Sequence, residues 1–202
     1  RWRDLLRSHS HEFSEQLHIP MQNLRWFAAF HNESHHPHVH VIIYSTDTSA
    51  GFLAKSNVNN LRSSLGKEIF AQDLACRYQE QTAHRDSLRS ESKELVANII
   101  AQINEGNFDN PVLESKLLEL SKILSETGGK KVYGYLDADT KALVDEIVDE
   151  LADDERLSQL YELWYQDKDF IHSTYTDEPA ERVPLSQNEE FKPIRNAVIR
   201  EA

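Results

Sequence analysis

The sequence predicts an α+β fold, an antiparallel β-hairpin followed by a mostly helical body. Two runs near the start, Leu24 to His31 and Pro37 to Ser45, alternate along their length as strands do. From about Ser56 to the end, apolar residues recur at helical spacing almost without interruption. Gly106, Pro111 and Gly128-Gly129 interrupt this pattern and divide it into separate helices.

Residues 2–17 read as an amphipathic helix with Trp2, Leu5, Leu6, Phe13 and Leu17 on its apolar side, and Ile19-Pro20 ends it. The two strands follow. Val58, Leu61, Leu65, Ile69 and Leu74 then form one helical stripe, which Leu95, Ile99, Ile100 and Ile103 continue. Between them Gln79 to Lys93 is mostly polar, which fits an exposed helix or a bent connection. Glu105-Gly106-Asn107 breaks the run, and Asn110-Pro111 opens a helix with Leu113, Leu117, Leu120 and Leu124 as its stripe. Gly128-Gly129 closes that helix, and Val132 to Leu136 is a short apolar link. Leu143, Ile147 and Leu151 mark the next helix, and Leu157, Leu160, Tyr161 and Trp164 the one after it. Asp177 to Ser186 contains Pro179 and Pro184 and reads as loop, and Phe191 to Ala202 is a last helix. The pattern divides at about residue 50, with the hairpin in 1–50 and an acidic helical region in 51–202.

Charge separates the two halves. Residues 1–100 carry 11 Lys+Arg against 11 Asp+Glu, and residues 101–202 carry 11 against 23, which accounts for the whole net charge of −12. Nonspecific attraction of the entire surface to nucleic acid is excluded, and any DNA-handling role falls to the first half or to segments outside this chain. No apolar run reaches the roughly 20 residues of a membrane span. The single cysteine, Cys76, excludes an internal disulfide, suits a reducing cytoplasm and reads as a small buried side chain. The chain opens on Arg1 rather than Met and ends within a helical pattern, the expectation for a piece of a longer protein.

His31, His35, His36, His38 and His40 place five of the ten histidines within ten residues. The alternation selects one strand pairing. With His31 opposite His38, Phe30 meets Val39, Ala28 meets Val41 and Trp26 meets Ile43, giving an apolar face for the core. The other face then carries His31, His38 and His40, with the small Ala29 opposite His40. Three imidazoles from two adjacent strands are a metal site by geometry. His35 and His36 belong to the connecting loop. Glu33, also in the loop, is placed to accept the second N–H of a ligand imidazole, or is a plain loop carboxylate. The residues alone leave two further readings open. One is a three-histidine zinc hydrolase with Glu33 as general base; the other is a non-catalytic helical module that docks a partner.

His31-x-Glu33-x-x-x-Pro37-His38-x-His40 resembles the third motif of conjugative relaxases, H-x-D-x-x-x-P-H-x-H. Further phrases are similar to the MobP/MobL-type relaxases of Gram-positive mobile elements. They include Trp26 to His31, Arg77 to Thr82, Tyr133 to Leu136, Val144 to Val148, Tyr161-x-x-Trp164-Tyr165, Pro184-Leu185-Ser186 and Asn196 to Ala202. The resemblance covers nearly the whole chain. It implies nicking and rejoining of one strand of single-stranded origin-of-transfer DNA through a tyrosine–DNA adduct, in the cytoplasm, with accessory mobilisation or coupling proteins as partners. It implies Mg²⁺ or Mn²⁺, with Zn²⁺ as the alternative, on His31, His38 and His40. Residues 1–50 would be a remnant of the catalytic sheet, in the C-terminal part of the relaxase domain. Two departures stand out. Glu33 occupies the place of the motif's Asp, and no tyrosine precedes Tyr44, although the family's nucleophile lies well before the histidines. The nucleophilic tyrosine is therefore expected outside this chain, and the chain is expected to be inactive alone. Tyr44 itself is expected to pack or to face DNA.

Overall fold

The computed structural model describes residues 2–32 and 37–202. Its elements are α1 (Trp2–Ser8), α2 (Ser10–Gln16), β1 (Leu24–His31), β2 (His38–Ser45), α3 (Lys55–Ile69), α4 (Ala71–Glu105), α5 (Pro111–Glu126), α6 (Ala138–Leu151), α7 (Glu155–Tyr175) and α8 (Lys192–Glu201). This is the expected α+β arrangement of one hairpin and a helical remainder. The chain divides into two compact units: residues 1–75 with 171–179, and residues 76–170 with 180–202.

In the first unit, the helix expected over residues 2–17 is split at His9. The Leu5 carbonyl accepts from the Ser8 hydroxyl at 2.8 Å, lies 2.9 Å from Nδ1 of His9 and also takes the His9 N–H at 3.2 Å. Side chains that compete for a helix carbonyl distort the turn they sit on. The second helix ends on His18, whose φ of 53° is left-handed. The Ile19 N–H reaches back to the Ser14 carbonyl at 2.9 Å, the six-to-one bond of a Schellman end. That reversal points the chain into β1.

β1 and β2 pair antiparallel in the expected register: His31 with His38, Ala29 with His40, Ala28 with Val41 and Trp26 with Ile43. Trp26, Val39, Val41 and Ile43 pack on a small core of Leu6, Phe13, Ile19 and Leu24, to which α3 adds Leu61 and Leu65. The apolar face is only partly covered, since Ala28 is exposed and Phe30 keeps 52% of its surface open. Val58 and Ile69, expected on the buried stripe of α3, are exposed too.

Gly66 of α3 lies where α3 meets residue 174. A Cβ there would stand 2.9 Å from the Thr174 carbonyl oxygen and 3.2 Å from its Cγ2. Alanine normally gains up to about 1 kcal/mol over glycine inside a helix. Here the obstructing atom is backbone, and overpacking of that kind costs about 1–3 kcal/mol. Gly66→Ala is expected to lower the melting temperature; an unchanged or raised midpoint in a thermal scan would refute the close approach.

In the second unit, α5 starts on Asn110, whose side chain accepts from Leu113 N–H at 3.1 Å, with Pro111 as its first residue. Asp137 caps α6 through Thr140 N–H at 2.9 Å, and this bond and the one from the Thr140 hydroxyl hold its carboxyl below the usual range. The core gathers Leu113, Leu117, Leu120 and Leu124 of α5, Val144, Ile147, Val148 and Leu151 of α6, and Ile194, Val198 and Ile199 of α8. Tyr161, Trp164 and Tyr165 of α7 join it with Phe191, as their helical spacing suggests.

The polar stretch Gln79 to Lys93 is the exposed helix rather than a connection, although it is not wholly exposed. It is continuous α-helix, with Leu88 and Ser92 fully buried. Its polarity has a partner: Asp167 of α7, 2% exposed, lies 2.8 Å from Nδ1 of His84 and also accepts from Arg77, just before the stretch, at 3.1 Å. A buried carboxylate needs such company. Cys76 is exposed, not buried. It follows the buried Leu74 by two residues, which turns it about 200° around the helix to the opposite side.

Candidate metal centre

The hairpin register decides the site. Residues two apart on β2 share a face, so His38 and His40 project together, and cross-strand pairing brings in His31. The three rings close up at this end of the ribbon. Their centroids lie 5.3 Å (His31–His38), 4.9 Å (His31–His40) and 4.8 Å (His38–His40) apart. His31 and His38 are near parallel at 15°, and His40 stands edge-on to both at 81°. One nitrogen from each ring falls within 4.8 Å of the others, and Nε2 of His38 lies 3.1 Å from Nε2 of His40. Among the described residues this is the one cluster of His, Cys, Asp and Glu with such a spacing.

The His38–His40 separation is that of two ligands on a shared cation, and His31 needs only a small ring adjustment to join them. Two nitrogens each about 2.1 Å from one ion, at right angles to each other, are separated by about 3.0 Å. Three neutral imidazoles would leave the ion its full charge and room for further oxygen ligands. The cluster sits on the solvent-facing side of the ribbon, with His31 and His40 exposed and His38 half-buried. Ala29, opposite His40, adds only a methyl group to this face.

The neighbouring row on this face is apolar. Phe27 pairs with Ile42 next to the Ala29–His40 row, and Arg25 pairs with Tyr44 beyond. Phe27 and Ile42 keep 65% and 66% of their surface exposed. The rings of Phe27 and Tyr44 stack at 6.0 Å and 19°. The register that gathers the histidines also puts Phe27, Ile42 and Tyr44 on their face, a consequence of the alternation that the histidine motif alone does not announce. Arg25 is turned back onto the Gln22 and Leu24 carbonyls at 2.9 and 2.7 Å. Glu33, His35 and His36 lie outside the described residues.

A family model for MobL relaxases matches residues 1–202, the full length of the sequence. No curated protein and no solved structure matches the chain. Among the described residues, no helix is long and apolar enough to cross a membrane. The hairpin with its three gathered histidines, the helical remainder and the full-length match agree, and the chain belongs to the MobL relaxase family.

Proposed function

We propose that this chain supplies the cation-holding part of a relaxase that nicks and rejoins single-stranded DNA at an origin of transfer. His31, His38 and His40 would hold one divalent ion. The observation that carries the reading is the convergence of three ring nitrogens within 4.8 Å on one open face, in a chain that matches MobL relaxases throughout. When bound, such an ion offsets the charge of a phosphate's non-bridging oxygens and orients the group for attack. The residues of the chain do the rest. The paired strands keep the rings converged, and Ala29 adds only a methyl group beside them. Imidazole donors bind Mn²⁺ better than the harder Mg²⁺, and Zn²⁺ better still, so Mn²⁺ is the more informative probe of the two family ions.

Tyr44 is not placed to be the attacking tyrosine. It is four residues from His40 along β2, about 13 Å at Cα, and its ring rests on Phe27 rather than on the histidines. The chain alone is therefore expected to bind the ion and DNA without forming the covalent adduct.

The test is a titration of the chelator-stripped chain with Mn²⁺, followed by electron paramagnetic resonance. One ion per chain is expected, and added Zn²⁺ should displace it. Absence of saturable binding at millimolar Mn²⁺ would overturn the reading.

A further inference from the structure

We infer that Phe27 and Tyr44, with Ile42 beside them, form a stacking platform for nucleobases of a single strand whose phosphate sits at the histidines. The inference rests on the relaxase reading and adds the surface that receives the bases. Two near-parallel aromatic rings, stacked on each other and open to solvent, lie on the same sheet face as the histidine cluster. Solvent-exposed apolar side chains in contiguous rows mark a contact surface. Aromatic rings on an open sheet face are the usual way for proteins to take unpaired bases, because every base presents a π-face.

Charge selects the occupant. The eight residues of β1 and the eight of β2 contain no Asp or Glu, in a chain that has 34 of them. The charged or titratable groups on these strands are Arg25 and the three histidines, apart from the phenol of Tyr44. A polyanion meets no carboxylate from either strand here, whereas residues 101–202 are strongly acidic. The spacing agrees as well. The Phe27–Ile42 row begins two residues along β2 from His40, about 7 Å, within reach of one nucleotide step from a phosphate held at the histidines.

The experiment compares fluorescein-labelled dT20 with a 20-unit abasic strand of the same phosphodiester backbone, binding to the full 202-residue chain in Mn²⁺. The wild-type chain is expected to prefer dT20 by about tenfold or more, given the usual worth of one stacked base. Phe27→Ala should remove most of that preference while leaving Mn²⁺ binding unchanged, and Phe27→Trp should restore it. Ile42→Ala removes apolar surface but no ring, and should weaken the preference less than Phe27→Ala. Equal affinity of the wild-type chain for the two strands would overturn the platform. So would a Phe27→Ala variant that keeps the full preference, or equal losses in Phe27→Ala and Ile42→Ala. Normal Mn²⁺ binding in those cases would leave the relaxase reading standing. Failure of the wild-type chain to bind Mn²⁺ and both strands would remove reading and platform together.

Discussion

Alanine at His38 or at His40 is expected to abolish divalent-cation binding by this chain, and to abolish origin nicking by a relaxase that carries it. Each ring closes two sides of the ligand triangle. His38 is 5.3 Å from His31 and 4.8 Å from His40 between ring centroids, and His40 is 4.9 Å from His31. Removing either ring leaves a two-nitrogen site on an open surface with no Asp or Glu from either strand to replace it. Altering merely the partners of a ligand typically costs 10–100-fold in affinity, so loss of a ligand should exceed about 100-fold. His40 is exposed and His38 half-buried on the solvent-facing side of the ribbon, so stability without metal should change little. Bound cation is the sensitive readout: at about 100 times its Kd, Mn²⁺ should stabilise the wild-type chain by about 2.7 kcal/mol and either variant by almost nothing. Wild-type nicking rates in both variants would end the assignment of these histidines.

The hairpin could be read from sequence because two demands coincide in it. One face has to be apolar for the core, and three histidines have to share the other. A slip of one residue breaks both conditions, so the pairing of His31 with His38 follows from the residues themselves. What alternation could not tell was how much of the apolar face would be covered. Phe30 and Ala28 carry the right chemistry, but the helices pack on Trp26, Val39, Val41 and Ile43, and cover Phe30 only in part. Coverage depends on where other elements end, which a local period does not encode.

The long α4 shows the same limit from the other direction. Its middle looks like an exposed surface because Arg77, Gln81, His84 and Arg85 interrupt the apolar stripe. Two of these residues meet Asp167, 83 and 90 positions away, and Leu88 and Ser92 resume the buried line one turn later. A cationic segment in a buried stripe becomes legible only once its buried anion is known. Arg195 repeats the lesson. It is 4% exposed, is paired with Glu189 at 2.9 Å and lies over the Tyr133 ring at 4.4 Å. By contrast, the leucine stripe of α5 needed no distant partner, since Leu113, Leu117, Leu120 and Leu124 are all buried.

Phe191→Ala should be among the most damaging single changes in the second unit, costing about 3–5 kcal/mol. The residue ends the short 3₁₀ turn Glu189–Phe191 and leads directly into α8. Its side chain is 1% exposed, and its ring stands edge-on to Tyr161 at 5.4 Å and to Trp164 at 5.2 Å. Truncation removes the apolar burial and both ring contacts, and leaves a hole beneath α8. Its surroundings cannot easily collapse into that space. Tyr161 is held by its hydroxyl, which donates to the Val183 carbonyl at 2.7 Å and accepts from Asn188 at 3.1 Å. Phe191→Leu keeps most of the volume and should cost less than half as much. Urea denaturation followed by far-ultraviolet circular dichroism would measure both. A domain of this size has only about 5–15 kcal/mol to lose, so Phe191→Ala should move the midpoint well outside error. A cost below about 1 kcal/mol would mean that the aromatic cluster repacks freely. The fixed placement of α8 against α6 and α7 would then need another cause.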